Sequence, residues 1–218
     1  MNIPLSLHPQ HKILCVGLNY RDHAAEGKQD VPEHPVFFIR YASSFVKHGE
    51  PLEMPRHSGK YDYEGELVVI IGKTGRDILE SEALGYVQGY TIGMDGSVRD
   101  YQKRTPQWTL GKNFDRSGAL GPHITSASQL PPGASGLRIT TRVNGEVLQD
   151  DSTANMIFPV ARLIASASEA MTLNPGDMIL TGTPAGVGFA RKPPIYLKPG
   201  DEVSVTIDGI GELKNRVA

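Results

Sequence analysis

The chain has 218 residues, 22 basic and 24 acidic side chains, a net charge of −2 and 39% hydrophobic residues, the make-up of a globular protein with neither a basic nucleic-acid surface nor an acidic disordered tail. Its longest apolar run, 67–71, is far too short to span a membrane, and residues 1–10 lack the apolar stretch of a signal peptide, so a cytoplasmic protein is expected. Cys15 is the sole cysteine, which excludes an internal disulfide and a cysteine-based zinc site.

No repeat, low-complexity segment or linker divides the sequence, so 1–218 is expected to be one domain. With 24 glycines and 16 prolines, turns are frequent, and the prediction is an α+β fold that is predominantly β. In chain order, short apolar or alternating segments bounded by Gly, Pro or Asp predict strands over 12–16, 36–39, 65–71, 89–94, 137–143, 178–181 and 202–207. Asn144-Gly145 and Asp208-Gly209 each join two such segments and predict hairpins closed by type I′ turns. Helical spacing is clearest over 158–170, where Val160, Leu163, Ile164 and Ala167 recur at intervals of three and four; 19–26 and 81–87 predict about two turns each.

Candidate chemistry starts at Tyr61-Asp62-Tyr63-Glu64-Gly65-Glu66. On a strand, Glu64 and Glu66 face the same side, and two buried carboxylates need a cation or a shared proton; spacing alone equally allows a solvated strand end. Asp95 closes the apolar segment 89–94. If the three converge, they form an all-oxygen site suited to Mg²⁺, Mn²⁺ or Ca²⁺, whereas Asp95-Gly96 by itself reads as a turn. His23 and Glu26 form an i, i+3 pair, either a general base oriented by a carboxylate or an exposed ion pair. Lys112 lies among glycines and aromatics, where it could meet an oxyanion. The segment 181–188 lacks dinucleotide-fingerprint spacing; its amides and the Thr183 hydroxyl could wrap a carboxylate, or it could be a connecting turn. No EF-hand, zinc-helix or phosphate-loop motif is present.

Several of these pieces, taken in order, resemble the fumarylacetoacetate hydrolase family across 13–217. They are Val16-Gly17-Leu18-Asn19-Tyr20 through His23 and Glu26, then Asp62-Tyr63-Glu64-Gly65-Glu66-Leu67. Gly89-Tyr90-Thr91 through Asp95 follows, with Ser97, Arg99, Asp100 and Gln102, then Lys112 through Asp115 and Thr181-Gly182-Thr183-Pro184. The match begins almost at residue 1, so the chain is similar to the short, single-domain acylpyruvases, oxaloacetate decarboxylases and 2-hydroxyhepta-2,4-diene-1,7-dioate isomerases. The resemblance implies a mixed β-sandwich or roll with a few short helices, usually a homodimer, with Mg²⁺ or Mn²⁺ on Glu64, Glu66 and Asp95. It implies a water-activating pair, His23 and Glu26, on a lid-like segment, a substrate-facing Lys112, and Gln102 and Thr183 in contact with a small 2-oxo acid. Arg40-Tyr41 departs from the Lys-Pro of many members, and Arg40 is expected as a substrate-binding cation at the pocket mouth.

The implied activity is metal-dependent hydrolysis of a carbon–carbon bond in an acylpyruvate, with His23 deprotonating the attacking water. Alternatives are decarboxylation of oxaloacetate, isomerisation or decarboxylation of an unsaturated 2-oxo dicarboxylate from aromatic catabolism, and an idle keto-acid-binding metal scaffold.

Overall fold

The computed structural model describes residues 2–218. In chain order its elements are β1 (Asn2–Ile3), β2 (Ile13–Gly17), α1 (Arg21–Glu26), β3 (Val36–Ile39), β4 (Phe45–Lys47), β5 (Tyr61–Asp62) and β6 (Gly65–Ile71). β7 (Val87–Met94), β8 (Ser97–Val98), α2 (Arg99–Gln102), α3 (Thr109–Lys112), β9 (Gly118–Ser126), β10 (Arg138–Val143) and β11 (Glu146–Ser152) follow. The chain ends with α4 (Val160–Ala170), β12 (Met178–Leu180), β13 (Glu202–Ile207) and β14 (Gly211–Arg216).

The apolar run at 67–71 becomes the middle of β6, every residue of which is buried. Burial on both faces explains why this strand reads as continuous rather than alternating. Leu67, Val69 and Ile71 enter the larger hydrophobic cluster with Tyr90, Ile92 and Val205, while Val68 and Ile70 join a smaller one with Ile13, Cys15 and Leu180. β6 is a central strand of a mixed eight-stranded sheet in the order β1-β9-β7-β6-β12-β2-β3, with β4 alongside β9. The four-stranded antiparallel sheet β11-β10-β13-β14 packs on its larger-cluster face, and β5 pairs with β8 in a short ribbon. This β-rich arrangement with few short helices agrees with the predicted fold class. No helix among the described residues is long and apolar enough to cross a membrane.

Two local expectations are corrected. The Asn144-Gly145 turn has both residues at positive φ, 51° and 85°, as a type I′ turn requires, but at Asp208-Gly209 only Gly209 is positive, at 74°. There the Ile210 N–H donates to Ile207 O, and β14 begins at Gly211 opposite Ile207, so the loop has a third residue. The second correction is at 81–87, where a single 3₁₀ turn, Ala83–Tyr86, replaces two helical turns because Val87 is already paired with Ile71 in the sheet. β9 was not predicted; Gly118, Gly121 and Pro122 interrupt its apolar pattern, and its register with β7 shifts between Tyr90 and Ile92.

Candidate active site

Strand pairing is what brings the three acids together. Glu64 and Glu66 project from the same face at the start of β6, and the antiparallel register sets Gly65 opposite Met94, so Asp95 falls opposite Glu64. The Asp95 N–H donates to Glu64 O at 2.8 Å, continuing the ladder past the strand end. Glu66 stands opposite Gly93, which has no side chain to fill the space. All three carboxylates are buried, and one oxygen from each lies within 4.8 Å of the others.

Cations surround two of the acids and leave the third short. Glu64 Oε1 accepts from Arg99 Nη2 and Oε2 from Lys112 Nζ, both at 2.6 Å. Lys112 Nζ also donates to Asp95 Oδ2 at 2.6 Å, and Arg40 Nη1 to Asp95 Oδ1 at 2.5 Å. Burial pushes the Glu64 carboxyl up, but Arg99, Lys112 and His23 more than offset it and bring it down to about 2. Burial lowers the Lys112 ammonium, and Asp95 and Glu64 reverse this and hold it above its ordinary value. Glu66 has only the Gly182 N–H, at 2.8 Å, and burial together with Asp95 and Glu64 pushes its carboxyl well above the usual range. A cluster of hard oxygen donors with an uncompensated buried charge fits a divalent cation such as Mg²⁺ or Mn²⁺.

Across from the triad, α1 presents His23, whose Nδ1 lies 2.8 Å from Glu26 Oε1. A carboxylate only accepts, so Nδ1 carries a proton, and it is Nε2 whose lone pair the neutral imidazole offers. Glu26 Oε2 accepts in turn from the Gly186 N–H at 2.9 Å. The loop after β12 serves three of the acids in this way. Its amides hold Glu66 through Gly182, Glu26 through Gly186, and Asp62 through Gly188 and Phe189. Gly182 and Gly186 have φ of 96° and 105°, and a Cβ at Gly186 would lie 2.1 Å from Leu148 O, so glycine is required there.

A cavity of about 420 Å³ joins these groups; His23, Glu64, Glu66, Asp95, Lys112, Gln102 and Thr183 all line it. Gln102 Oε1 accepts from Arg99 Nη1 at 2.9 Å, which turns its amide NH₂ away from that bond and leaves it to donate elsewhere. The Thr183 hydroxyl, expected to meet a ligand, instead donates to Gly65 O at 2.9 Å and accepts from Gln149 Nε2 at 2.7 Å. Arg40 is a clear correction. It lies behind Asp95, outside the cavity lining, and its five N–H donors go to Asp95, Gly96 O, Ser44 O, Ser44 Oγ and Ser117 Oγ. It has none left for a substrate. Sequence reasoning also missed Phe38, Trp108, Lys103 and Phe189, which complete the walls; aromatic and basic residues in loops give no local signal of which cavity they face.

A family model described as "Fumarylacetoacetate (FAA) hydrolase C-terminal" matches residues 12–218. The chain is 45% identical over 208 residues to the mitochondrial oxaloacetate tautomerase fahd2 of Xenopus laevis, an alignment covering 94% of this chain and 65% of that protein. It is 42% identical over 212 residues to the oxaloacetate tautomerase YisK of Bacillus subtilis, covering 96% of this chain and 70% of that one. The chain thus spans just under two thirds of the length of the Xenopus relative. Among solved structures, the fumarylpyruvate hydrolase of Pseudomonas aeruginosa in complex with Mn²⁺ and pyruvate superposes with a TM-score of 0.88 at 36% identity, covering 100% of this chain and 95% of that one. With the paired-strand acid triad in place and the family pattern running from residue 12 to the last residue, the chain belongs to the fumarylacetoacetate hydrolase family.

Proposed function

We propose that this protein interconverts the keto and enol forms of oxaloacetate. The observation that carries this reading is one cavity lined both by the carboxylate triad and by His23, whose Nδ1 is held by Glu26. A divalent ion held by Glu64, Glu66 and Asp95 would supply Lewis acidity and a point of chelation for the adjacent carboxylate and 2-oxo oxygens of the substrate. His23 Nε2 takes the proton from C3 of the keto form and returns it in the opposite direction, with Glu26 fixing the tautomer and supporting the imidazolium. Lys112 stays charged and offers an N–H to the 2-oxygen as negative charge gathers there; that oxygen takes its proton from water to become the enol hydroxyl, and the His23 imidazolium releases the C3 proton to water. Gln102 donates its free amide to the substrate carboxylate. The names of the relatives at 42% and 45% identity support the choice of oxaloacetate.

A second reading, hydrolysis of an acylpyruvate, is favoured by the near full-length match to the fumarylpyruvate hydrolase. It uses the same base, with His23 Nε2 deprotonating water in place of C3. One experiment separates the two. Chelator-stripped protein is given enol-oxaloacetate or acetylpyruvate, with Mn²⁺ or Mg²⁺ restored, and enol absorbance and pyruvate are both followed. The expected result is metal-restored loss of the enol without stoichiometric pyruvate, falling by about 10² to 10⁴ in His23→Ala. Enol loss no faster than with metal alone would overturn the tautomerase reading, and His23-dependent cleavage of acetylpyruvate would replace it with hydrolysis.

A further inference from the structure

We propose that Lys103 reads the distal carboxylate of the substrate and makes this site selective for dicarboxylic over monocarboxylic 2-oxo acids; the inference rests on the 2-oxo acid reading above.

Three observations place it. Lys103 caps α2 through its N–H to Arg99 O, and both side chains line the cavity. Residues four apart on a helix are separated by about 6 Å along its axis, comparable to the span of a four-carbon diacid. Arg99 is buried and Lys103, one turn on, is exposed.

The second observation is charge. Arg99 is committed to Asp62 and Glu64, and Lys112 to Glu64 and Asp95. Lys103 alone among the lysines and arginines lining the cavity has no carboxylate partner among the described residues. The nearest acid in sequence, Asp100, accepts from Ser58 instead. The lining contains three carboxylates, on Glu64, Glu66 and Asp95, against three permanent cations, on Arg99, Lys103 and Lys112. Behind them Asp62 and Arg40 cancel. Glu26 behind His23 adds one negative charge, so a divalent ion on the triad leaves the site net positive, with Lys103 the lining cation left to meet a second carboxylate.

The third observation is position. Lys103 Nζ sits 4.3 Å from the centroid of the Phe189 ring, which also has Arg99 4.5 Å away. Phe189 is itself anchored by its N–H to Asp62. Lys103 is exposed, and its ammonium rests against the Phe189 ring at the cavity wall; the neighbouring Arg104 stacks on Tyr101 and does not line the cavity.

The test is binding, which does not depend on turnover. Mn²⁺-loaded protein is titrated by calorimetry with malate and with 2-hydroxybutanoate, which share the carboxylate and 2-hydroxyl and differ in a distal carboxylate against a methyl. The wild type should prefer malate. Lys103→Gln should lose roughly tenfold of that preference, as expected of one solvent-accessible charge-assisted bond, and Lys103→Arg should retain most of it. An unchanged ratio in Lys103→Gln, equal weakening toward both ligands, or no malate binding by the wild type would overturn the proposal. Failure of the tautomerase assay with the malate preference intact would instead indict the reaction assignment and leave Lys103 in its role.

Discussion

Arg40 and Lys103 show how neighbours decide what a basic residue does. From the family resemblance Arg40, standing with Tyr41 where many members carry Lys-Pro, reads as a substrate cation at the pocket mouth. In the fold its side chain has no exposure, stacks over Phe45 at 4.3 Å and supports Asp95. Its removal should therefore be felt first in stability. Arg40→Met leaves the buried Asp95 carboxylate without one of its two cationic partners, a loss of about 3 kcal/mol, measurable by urea unfolding. A near-wild-type midpoint with weaker dicarboxylate binding would return Arg40 to the pocket. The Glu64–Glu66 and His23–Glu26 pairs were legible because strand and helix periodicities set each on a common face, whereas the convergence of Asp95 with the two glutamates came only from the family resemblance and is made by the β6–β7 pairing. Lys103 and Arg40 were not, since a flexible cation's partner is chosen by tertiary packing.

At the scale of elements, the loop at 181–189 is the organising device. Its sequence, rich in glycine and free of helix signals, already suggested amides that could wrap a carboxylate. The fold supplies the carboxylates from within the chain, Glu66, Glu26 and Asp62, so one loop fixes a member of the acid triad, the orienter of the base and the partner of Arg99. Sequence displays the donors without showing which acids close on them, because β6 and α1 come from more than a hundred residues away. The prediction that belongs here concerns Gly186. In Gly186→Ala the new Cβ must displace the loop from Leu148 O, at a backbone angle that alanine resists, and the Gly186 N–H moves off Glu26. The base is then mispositioned by a fraction of an ångström to an ångström, which costs on the order of 10²-fold in kcat. KM should change far less, because Glu64, Asp95 and Gln102 are held by contacts outside the loop and Glu66 by Gly182, four residues before the change. Steady-state kinetics check this; a rise in KM with kcat unchanged would show that the loop serves binding alone.

At the scale of the whole molecule, the question is whether the sheet opens as a unit. The predicted strands 65–71 and 202–207 match the observed bounds because their burial is written into unbroken or alternating apolar patterns, and 36–39 matches as an apolar strand although none of its residues is buried. The strand order is not written there, since the parallel pairing of β12 with β2 joins segments far apart in the chain. Cys15 lies at that junction, fully buried, opposite Leu180 on one side and Phe38 on the other. Burial, reinforced by Asp95 and Glu66, pushes its thiol well above the ordinary value. Since only the thiolate of an exposed cysteine reacts, alkylation proceeds through opened molecules. As the sole cysteine, Cys15 makes the labelling rate a single-site measure of that opening. If β2, β6 and β7 part together, the acid triad is lost in the same event, and any ion it binds must dissociate. Saturation with Mn²⁺ at a hundredfold excess over Kd would then stabilise the closed state by about 2.7 kcal/mol, and labelling should slow roughly a hundredfold. Glu66→Gln should abolish most of this protection without speeding the metal-free rate, because it removes the one buried charge in the triad that has no cationic side-chain hydrogen-bond partner. A labelling rate indifferent to Mn²⁺, in protein shown by calorimetry to bind it, would mean that the β2–β12 seam opens on its own while the metal-binding ends of β6 and β7 stay closed.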